Sequence, residues 1–137
     1  MNVPSLQPFA LVGGTALSLR YGHRSSVDLD LFHHIKFEHS IVVKELESTF
    51  GQRFVYKEQH THFGIFCFID DVKVDIVYYP HSPIAPYLTE QNIRFYSDND
   101  IAAMKIQAIL GRGKKKDFWD LHELFKHYSL QQIMDWH

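Results

Sequence analysis

A chain of 137 residues fits one domain with a single core, short for a catalytic unit with a separate recognition domain. With 45% hydrophobic, 22% charged and 15% aromatic residues it is excluded from the disordered class. A formal net charge of −2 excludes a global attraction to polyanions, so a polyphosphate or nucleic-acid ligand must be drawn by a local basic patch, and Arg112-Gly113-Lys114-Lys115-Lys116 supplies one.

Residues 1–8 lack the basic-then-apolar pattern of a signal peptide, and no apolar run approaches the length of a membrane span, so the chain reads as cytoplasmic with no membrane partner. Residues 9–12 form an apolar run that Gly13-Gly14 breaks, and Thr15 stands where a helix N-cap would precede residues 16–21. Residues 27–32 alternate with period two, which puts Asp28 and Asp30 on one face of a strand and Val27, Leu29 and Leu31 on the other. Residues 38–50 carry Ile41, Val42, Leu46 and Phe50 at helical spacing, with Gly51 at the C-cap position. Three strands follow at 54–57, 63–69 and 73–79, the last two joined by Asp70-Asp71 as a two-residue hairpin turn. Cys67 has no partner for an intramolecular disulfide and reads as strand packing in a reducing compartment. Pro80, Pro83 and Pro86 close the sheet region.

The remainder reads helical. Asp98 or Asn99 caps residues 101–110, with Ile101, Met104, Ala108 and Ile109 toward the core. Residues 111–113 interrupt, and residues 117–128 place Phe118, Leu121, Leu124 and Phe125 on one face. The expected organisation is a single minimal α+β domain over residues 1–137, with a sheet-containing core at about 9–80 and a helical part at about 98–137.

Two carboxylates at i and i+2 on a strand can jointly hold a divalent cation, because hard Mg²⁺ takes oxygen ligands and keeps positions open for substrate phosphates. Asp28 and Asp30 meet that pattern, although a solvated edge strand would carry the same pair. Gly13-Gly14 opening a helix exposes backbone N–H groups at a positive dipole end, which suits a triphosphate beside the metals; alone, it is equally a structural turn. Joined to the acidic strand, it points to a nucleotide site. Asp75 offers a third carboxylate on an apolar strand, either as metal ligand and general base or as the partner of Lys73. His23-Arg24 precedes the acidic strand and either orients Ser25 or a phosphate or packs the loop. His33-His34 and His60-x-His62 lack the four-ligand spacing of structural zinc. Lys105 can extend its ammonium from a core-facing helix toward an anion, and Arg112 can fork onto phosphate oxygens. Asp117 begins the next helix, where a carboxylate also favours the dipole. Lys114, Lys115 and Lys116 contact an RNA backbone or face water.

Residues 11–32 (LVGGTALSLRYGHRSSVDLDLF) resemble the first motif of the AbiEii-type nucleotidyltransferases, toxin halves of type IV toxin–antitoxin and abortive-infection systems. Residues 101–121 (IAAMKIQAILGRGKKKDFWDL) are similar to that family's later Lys…Arg…Lys-Asp motif. The resemblance implies a polymerase-β-like mixed sheet flanked by helices, with further helices at the C-terminal end. It also implies Mg²⁺ or Mn²⁺, a nucleoside triphosphate, and transfer of a nucleotidyl group onto RNA, in some members the tRNA acceptor end. Asp28, Asp30 and Asp75 become the metal-binding set, Lys105 and Asp117 join them as catalytic, and Gly13, Gly14, Thr15, Arg24, Ser26, Lys105 and Arg112 form the nucleotide-binding set. Longer members carry a helical segment before the first motif and a larger C-terminal region, so this chain is expected to be either a truncated product or a minimal form that relies on self-association. The resulting expectation is a toxin that labels RNA and is neutralised by a cognate antitoxin. The alternatives are a non-catalytic nucleotide-binding remnant of this fold, or a homodimeric module with Tyr128 and Trp136 at its interface.

Overall fold

A computed structural model describes residues 3–56 and 64–136. The elements run β1 (Ala10–Val12), α1 (Gly13–Tyr21), β2 (Leu29–His33), α2 (His39–Phe50), β3 (Phe54–Tyr56), β4 (Gly64–Ile69), β5 (Val72–Tyr78), β6 (Leu88–Glu90), β7 (Ile93–Phe95), α3 (Asp98–Gly111), α4 (Lys115–Phe125) and α5 (Leu130–Trp136). The seven strands form one mixed sheet in the order β3-β4-β5-β2-β1-β7-β6. β2 lies parallel to β5 and β1 parallel to β7, while the remaining neighbours are antiparallel. The α+β class and the mixed sheet with flanking and C-terminal helices are as expected. No helix among the described residues is long and apolar enough to cross a membrane.

Short-range chemistry explains most boundaries. Asp70 and Asp71 both adopt positive φ, 51° and 65°, which is the geometry that lets a two-residue turn match the twist of β4 and β5. Cys67 lies buried on β4, its thiol pushed up to about 11 by burial, and its role is packing. α2 stops at Gly51, where φ is 55°. The strand expected at 63–69 begins at Gly64; Lys57, Phe63 and the His60-x-His62 pair lie outside the described residues.

Four expectations about where elements begin and end need correction. Thr15 does not cap α1: Gly13 follows Val12 directly into the helix, and the Thr15 hydroxyl instead meets Ser26 Oγ at 2.6 Å and donates to the Asp28 carbonyl. It fastens the loop that leads into β2. Val27 is exposed and precedes the strand, so only Leu29 and Leu31 represent the apolar face. The sheet does not end near residue 80, because β6 and β7 form a second hairpin about Gln91-Asn92, both at positive φ, and β7 pairs with β1. Ser97, not Asp98 or Asn99, caps α3 by accepting from the Asp100 N–H at 3.2 Å.

The helices hold together through buried charge as much as through apolar contact. Ile101, Leu124 and Ile133 from α3, α4 and α5 are each at most 1% exposed. Yet the buried face of α4 carries Asp117 and Asp120 beside Leu124, while Phe118 and Phe125, expected inside, are exposed. Both aspartates are fully buried. Lys105 Nζ stands 3.0 Å from Asp117 Oδ1 and 2.9 Å from Asp120 Oδ2. Asp120 also takes Arg24 Nε at 2.7 Å, Arg24 Nη2 at 2.9 Å and His23 Nε2 at 2.6 Å. Arg112 forks onto Asp117, both contacts at 3.0 Å. A second knot forms at Asp98, which accepts from the Tyr21 and Tyr128 hydroxyls and pairs with Arg20. Tyr128 in turn packs edge-on against Trp136 at 5.0 Å.

Burial alone would raise the Asp117 carboxyl, but Arg112 and Lys105 outweigh it and hold it at about 2; Asp120 is likewise depressed, by Arg24, Lys105 and His23. Because the folded values lie below those of the unfolded chain, the stability they contribute is present above about pH 4 and is lost as pH falls toward 2. For Asp117 that contribution is about 2 kcal/mol. We expect acid unfolding to steepen across that window. Asp120→Asn, which leaves buried cations uncompensated, should destabilise by about 3–5 kcal/mol and flatten the acid limb. A urea titration of both proteins at a series of pH values checks this, and equal stability at neutral pH would contradict it.

Candidate active site

The site is built where α1 leaves the sheet. Gly13, at φ 76°, turns the chain from β1 into α1, a conformation that favours glycine. A Cβ there would sit 2.7 Å from Asp30 Oδ2, and one at Gly14 would overlap the Arg24 guanidinium. The Gly-Gly pair therefore lets a carboxylate and a guanidinium approach the start of the helix.

β2 and β5 run parallel with Asp30 directly opposite Asp75. Both carboxylates, with Asp28 just before β2, line one polar cleft of about 110 Å³. Gly13, Gly14, Thr15, Arg24, Ser26, Lys105 and Arg112 line the same cleft, as do Lys73, Lys114 and Lys116. All the expected nucleotide-binding residues are thus brought together. Burial pushes the Asp30 carboxyl above its ordinary value, and the neighbouring Asp75 charge pushes it further. Asp75 has a 3.6 Å ion pair from Oδ2 to the half-exposed Lys73, but its Oδ1 is buried without a hydrogen-bond partner.

Two expected participants stand differently. Asp117 does not line the cleft; its carboxylate faces Lys105 and Arg112 from behind. Lys105 lines the cleft but is already compensated by two aspartates. Asp120 escaped the sequence reading altogether. Its spacing of three from Asp117 along a helix was the signal, since both must share a face. His33 packs against Phe9 and His34 at 5.4 and 5.3 Å, and burial lowers its pKa, so that pair sits among aromatic rings.

Among the described residues no three His, Cys, Asp or Glu side chains converge closely enough to form a ready-made metal site. The donor chemistry nonetheless fits a divalent cation. An orphaned carboxylate oxygen on Asp75 faces a partly buried Asp30 whose charge is disfavoured, and Mg²⁺ commonly uses one or two carboxylates and completes its shell with water and substrate phosphates.

Comparison with known proteins bears on the fold and the family. An uncharacterised protein of Aquifex aeolicus (strain VF5) is 34% identical over 126 residues, covering 88% of this chain and 59% of that protein. The crystal structure of JHP933 from Helicobacter pylori superposes with a TM-score of 0.61 at 26% identity, over 92% of this chain and 62% of the other. The antibiotic-resistance factor ANT(2″)-Ia shares the fold with a TM-score of 0.67 at 16% identity, over 94% of this chain and 79% of that one. The chain thus spans less than two thirds of the Aquifex and Helicobacter proteins it resembles. The resemblance carried by the two motifs is confirmed by the family described as nucleotidyl transferase AbiEii toxin, type IV TA system, whose model matches residues 1–135, and this chain belongs to that family.

Proposed function

We propose that this chain is a metal-dependent nucleotidyltransferase that moves a nucleoside monophosphate from a nucleoside triphosphate to the hydroxyl of an RNA acceptor, such as a tRNA end, as the toxin of a toxin–antitoxin pair. The observation that carries the reading is the Asp30–Asp75 pair, in register on parallel strands and set directly against the Gly13-Gly14 start of α1. Lys73 meets only one Asp75 oxygen, at 3.6 Å; the other has no hydrogen-bond partner, and the neighbouring Asp30 carboxyl is shifted against ionisation.

Asp30 and Asp75, with Asp28 at the cleft mouth, would hold Mg²⁺ or Mn²⁺, which when bound neutralises charge on the triphosphate and acidifies the attacking hydroxyl. The N–H groups at the start of α1 receive phosphate oxygens, helped by the dipole of the helix. Thr15 and Ser26 hold that loop in place. Arg112, about half exposed, together with Lys114 and Lys116 bounds the cleft with positive charge. In the transfer step the acceptor oxygen bonds to the α-phosphorus as the bond to the pyrophosphate oxygen breaks. The hydroxyl proton passes to the Asp75 carboxylate, and pyrophosphate leaves along the cationic rim. Lys105, Asp117 and Asp120 act as positioning residues, since they hold Arg112 and Arg24 beside the cleft. The tied-up Lys105 would suit a non-catalytic remnant, but the open acidic pair would not.

Incubation with each labelled NTP, Mg²⁺ and total RNA should give label transfer. Asp30→Asn and Asp75→Asn should each reduce it at least about a hundredfold while leaving the fold intact. Mg²⁺ should raise the melting temperature of the wild type and not that of Asp30→Asn, whose apo form should melt no lower than wild type because a disfavoured charge has been removed. Transfer that survives both substitutions would remove the acidic pair from the mechanism. Arg112→Ala should weaken NTP binding about tenfold, with Arg112→Lys recovering only part of it, because an ammonium cannot grip Asp117 through two donors and still present a further one to a phosphate. Unchanged affinity in calorimetric titration would place Arg112 outside the phosphate site.

A further inference from the structure

α4 is amphipathic in the reverse of the usual sense. All of its carboxylates, Asp117, Asp120 and Glu123, lie on the buried side, whereas Lys115, Phe118, Trp119, His122 and Phe125 face outward. Spacings of three and four residues merge these five into one stripe along the helix. Phe118 and Trp119 are each 51% exposed, and Lys115 Nζ stands 5.1 Å from the centroid of the Trp119 ring. Adjacent half-exposed rings on one face mark a binding surface, where a single exposed apolar side chain would need no explanation. The stripe is continuous with the candidate active site. A Cβ at Gly113 would lie 4.0 Å from the Phe118 ring, so Phe118 borders the turn between Arg112 and Lys114, and both of those line the polar cleft.

We propose that this face of α4 carries a single-stranded stretch of the RNA acceptor next to its reacting hydroxyl, with bases stacked on Trp119 and Phe118 and a phosphate at Lys115. The inference rests on the reading of the acceptor as RNA. Charge decides the class of partner. With every carboxylate of α4 turned inward, the outward face is cationic on a chain whose formal net charge is −2, and its complement is a polyanion. Rings set beside lysines match a nucleic-acid strand in particular, since each base offers a π-face and each linkage an anion. The core of a protein interface also gathers aromatic residues, but it is depleted in lysine. Lys126, at the far end of the helix, is held by Glu123 at 3.1 Å, whereas Lys114, Lys115 and Lys116 make no ion pair with a carboxylate among the described residues. These three stand at the positive end of the α4 dipole, an unfavourable placement that a bound phosphate offsets.

The test follows an end-labelled single-stranded RNA by fluorescence anisotropy with wild type and with Trp119→Ala, Trp119→Leu, Trp119→Tyr and Lys115→Ala, whose folding is checked by circular dichroism. Trp119→Ala and Trp119→Leu should each weaken RNA binding about tenfold, while Trp119→Tyr, which keeps a π-face, should stay within about threefold of wild type. Lys115→Ala should make RNA affinity less sensitive to salt. In the transfer assay Trp119→Ala should raise KM for RNA by the factor seen in binding and leave kcat and the calorimetric NTP affinity within about twofold. If Trp119→Ala fails to fold, Phe118→Ala takes its place with the same expectation. Unchanged RNA affinity in the folded alanine variant, or an unchanged salt dependence in Lys115→Ala, overturns the assignment of this face and leaves the proposed transfer reaction standing. Full affinity in Trp119→Leu overturns stacking, and a change of self-association in sedimentation with RNA affinity intact gives the face to a second protein chain instead. A wild type that binds NTP but neither binds nor labels RNA overturns the RNA acceptor itself, and this face with it.

Discussion

An ionised carboxylate with no access to water must be surrounded by donors, because removing it from solvent without compensation costs several kcal/mol. Asp120 imposes that constraint on this fold. Its two oxygens draw His23 and Arg24 from the loop after α1, and Lys105 from α3, onto a single point of α4. Asp117, one turn earlier, adds Arg112 from the end of α3 and shares Lys105. Three segments far apart in sequence are thereby oriented about one charge cluster. An apolar core of the same volume could hold them as firmly, but it would tolerate rotation of α4 that directional, charge-assisted contacts do not.

The cluster reaches the cleft through Gly14. Arg24 can reach Asp120 only by crossing the space where a side chain at residue 14 would lie. Gly14 also lines the cleft at the start of α1. One glycine thus serves both the structural cluster and the candidate phosphate site, and the same holds for Gly13 with respect to Asp30. The glycine pair, the arginine and the acidic strand form a single steric solution, which is the physical reason they occur together in one motif.

Much of this was legible in the residue pattern. Period-two spacing placed Asp28 and Asp30, the Asp70-Asp71 turn placed β4 against β5, and β5 then carried Asp75 to the side of Asp30. What escaped were features that periodicity handles badly. β6 and β7 have three residues each, too few to show alternation, and their only marker was Gln91-Asn92, two residues that tolerate positive φ less readily than glycine. On α4 the apolar residues suggested one face, yet the buried face is the one bearing Asp117 and Asp120. A hydrophobicity rule assigns charged residues to solvent and cannot see that cations 5, 12 and 96 positions away will neutralise them. For the same reason the Lys105 ammonium was expected at a phosphate, when two aspartates inside the protein already meet its need.

That pairing also divides the cations of the cleft into two kinds. Arg24, Lys105 and Arg112 are tied to Asp120 and Asp117, so they contribute a fixed field with little freedom to follow a ligand. Lys114 and Lys116 make no ion pair with a carboxylate among the described residues, and Lys116 is close enough to Asp30 to favour its charge. They lie at the junction of α3 and α4, where Gly113 at φ 60° lets the chain turn. A rigid inner set and an outer pair at the start of α4 form a graded positive rim around an acidic centre. Such a rim attracts a polyphosphate from solution, yet the acidic pair repels it unless a divalent cation arrives too. On the proposed reading this charge arrangement would couple metal and nucleotide, each making the other's binding more favourable, because neither would compensate the cleft alone.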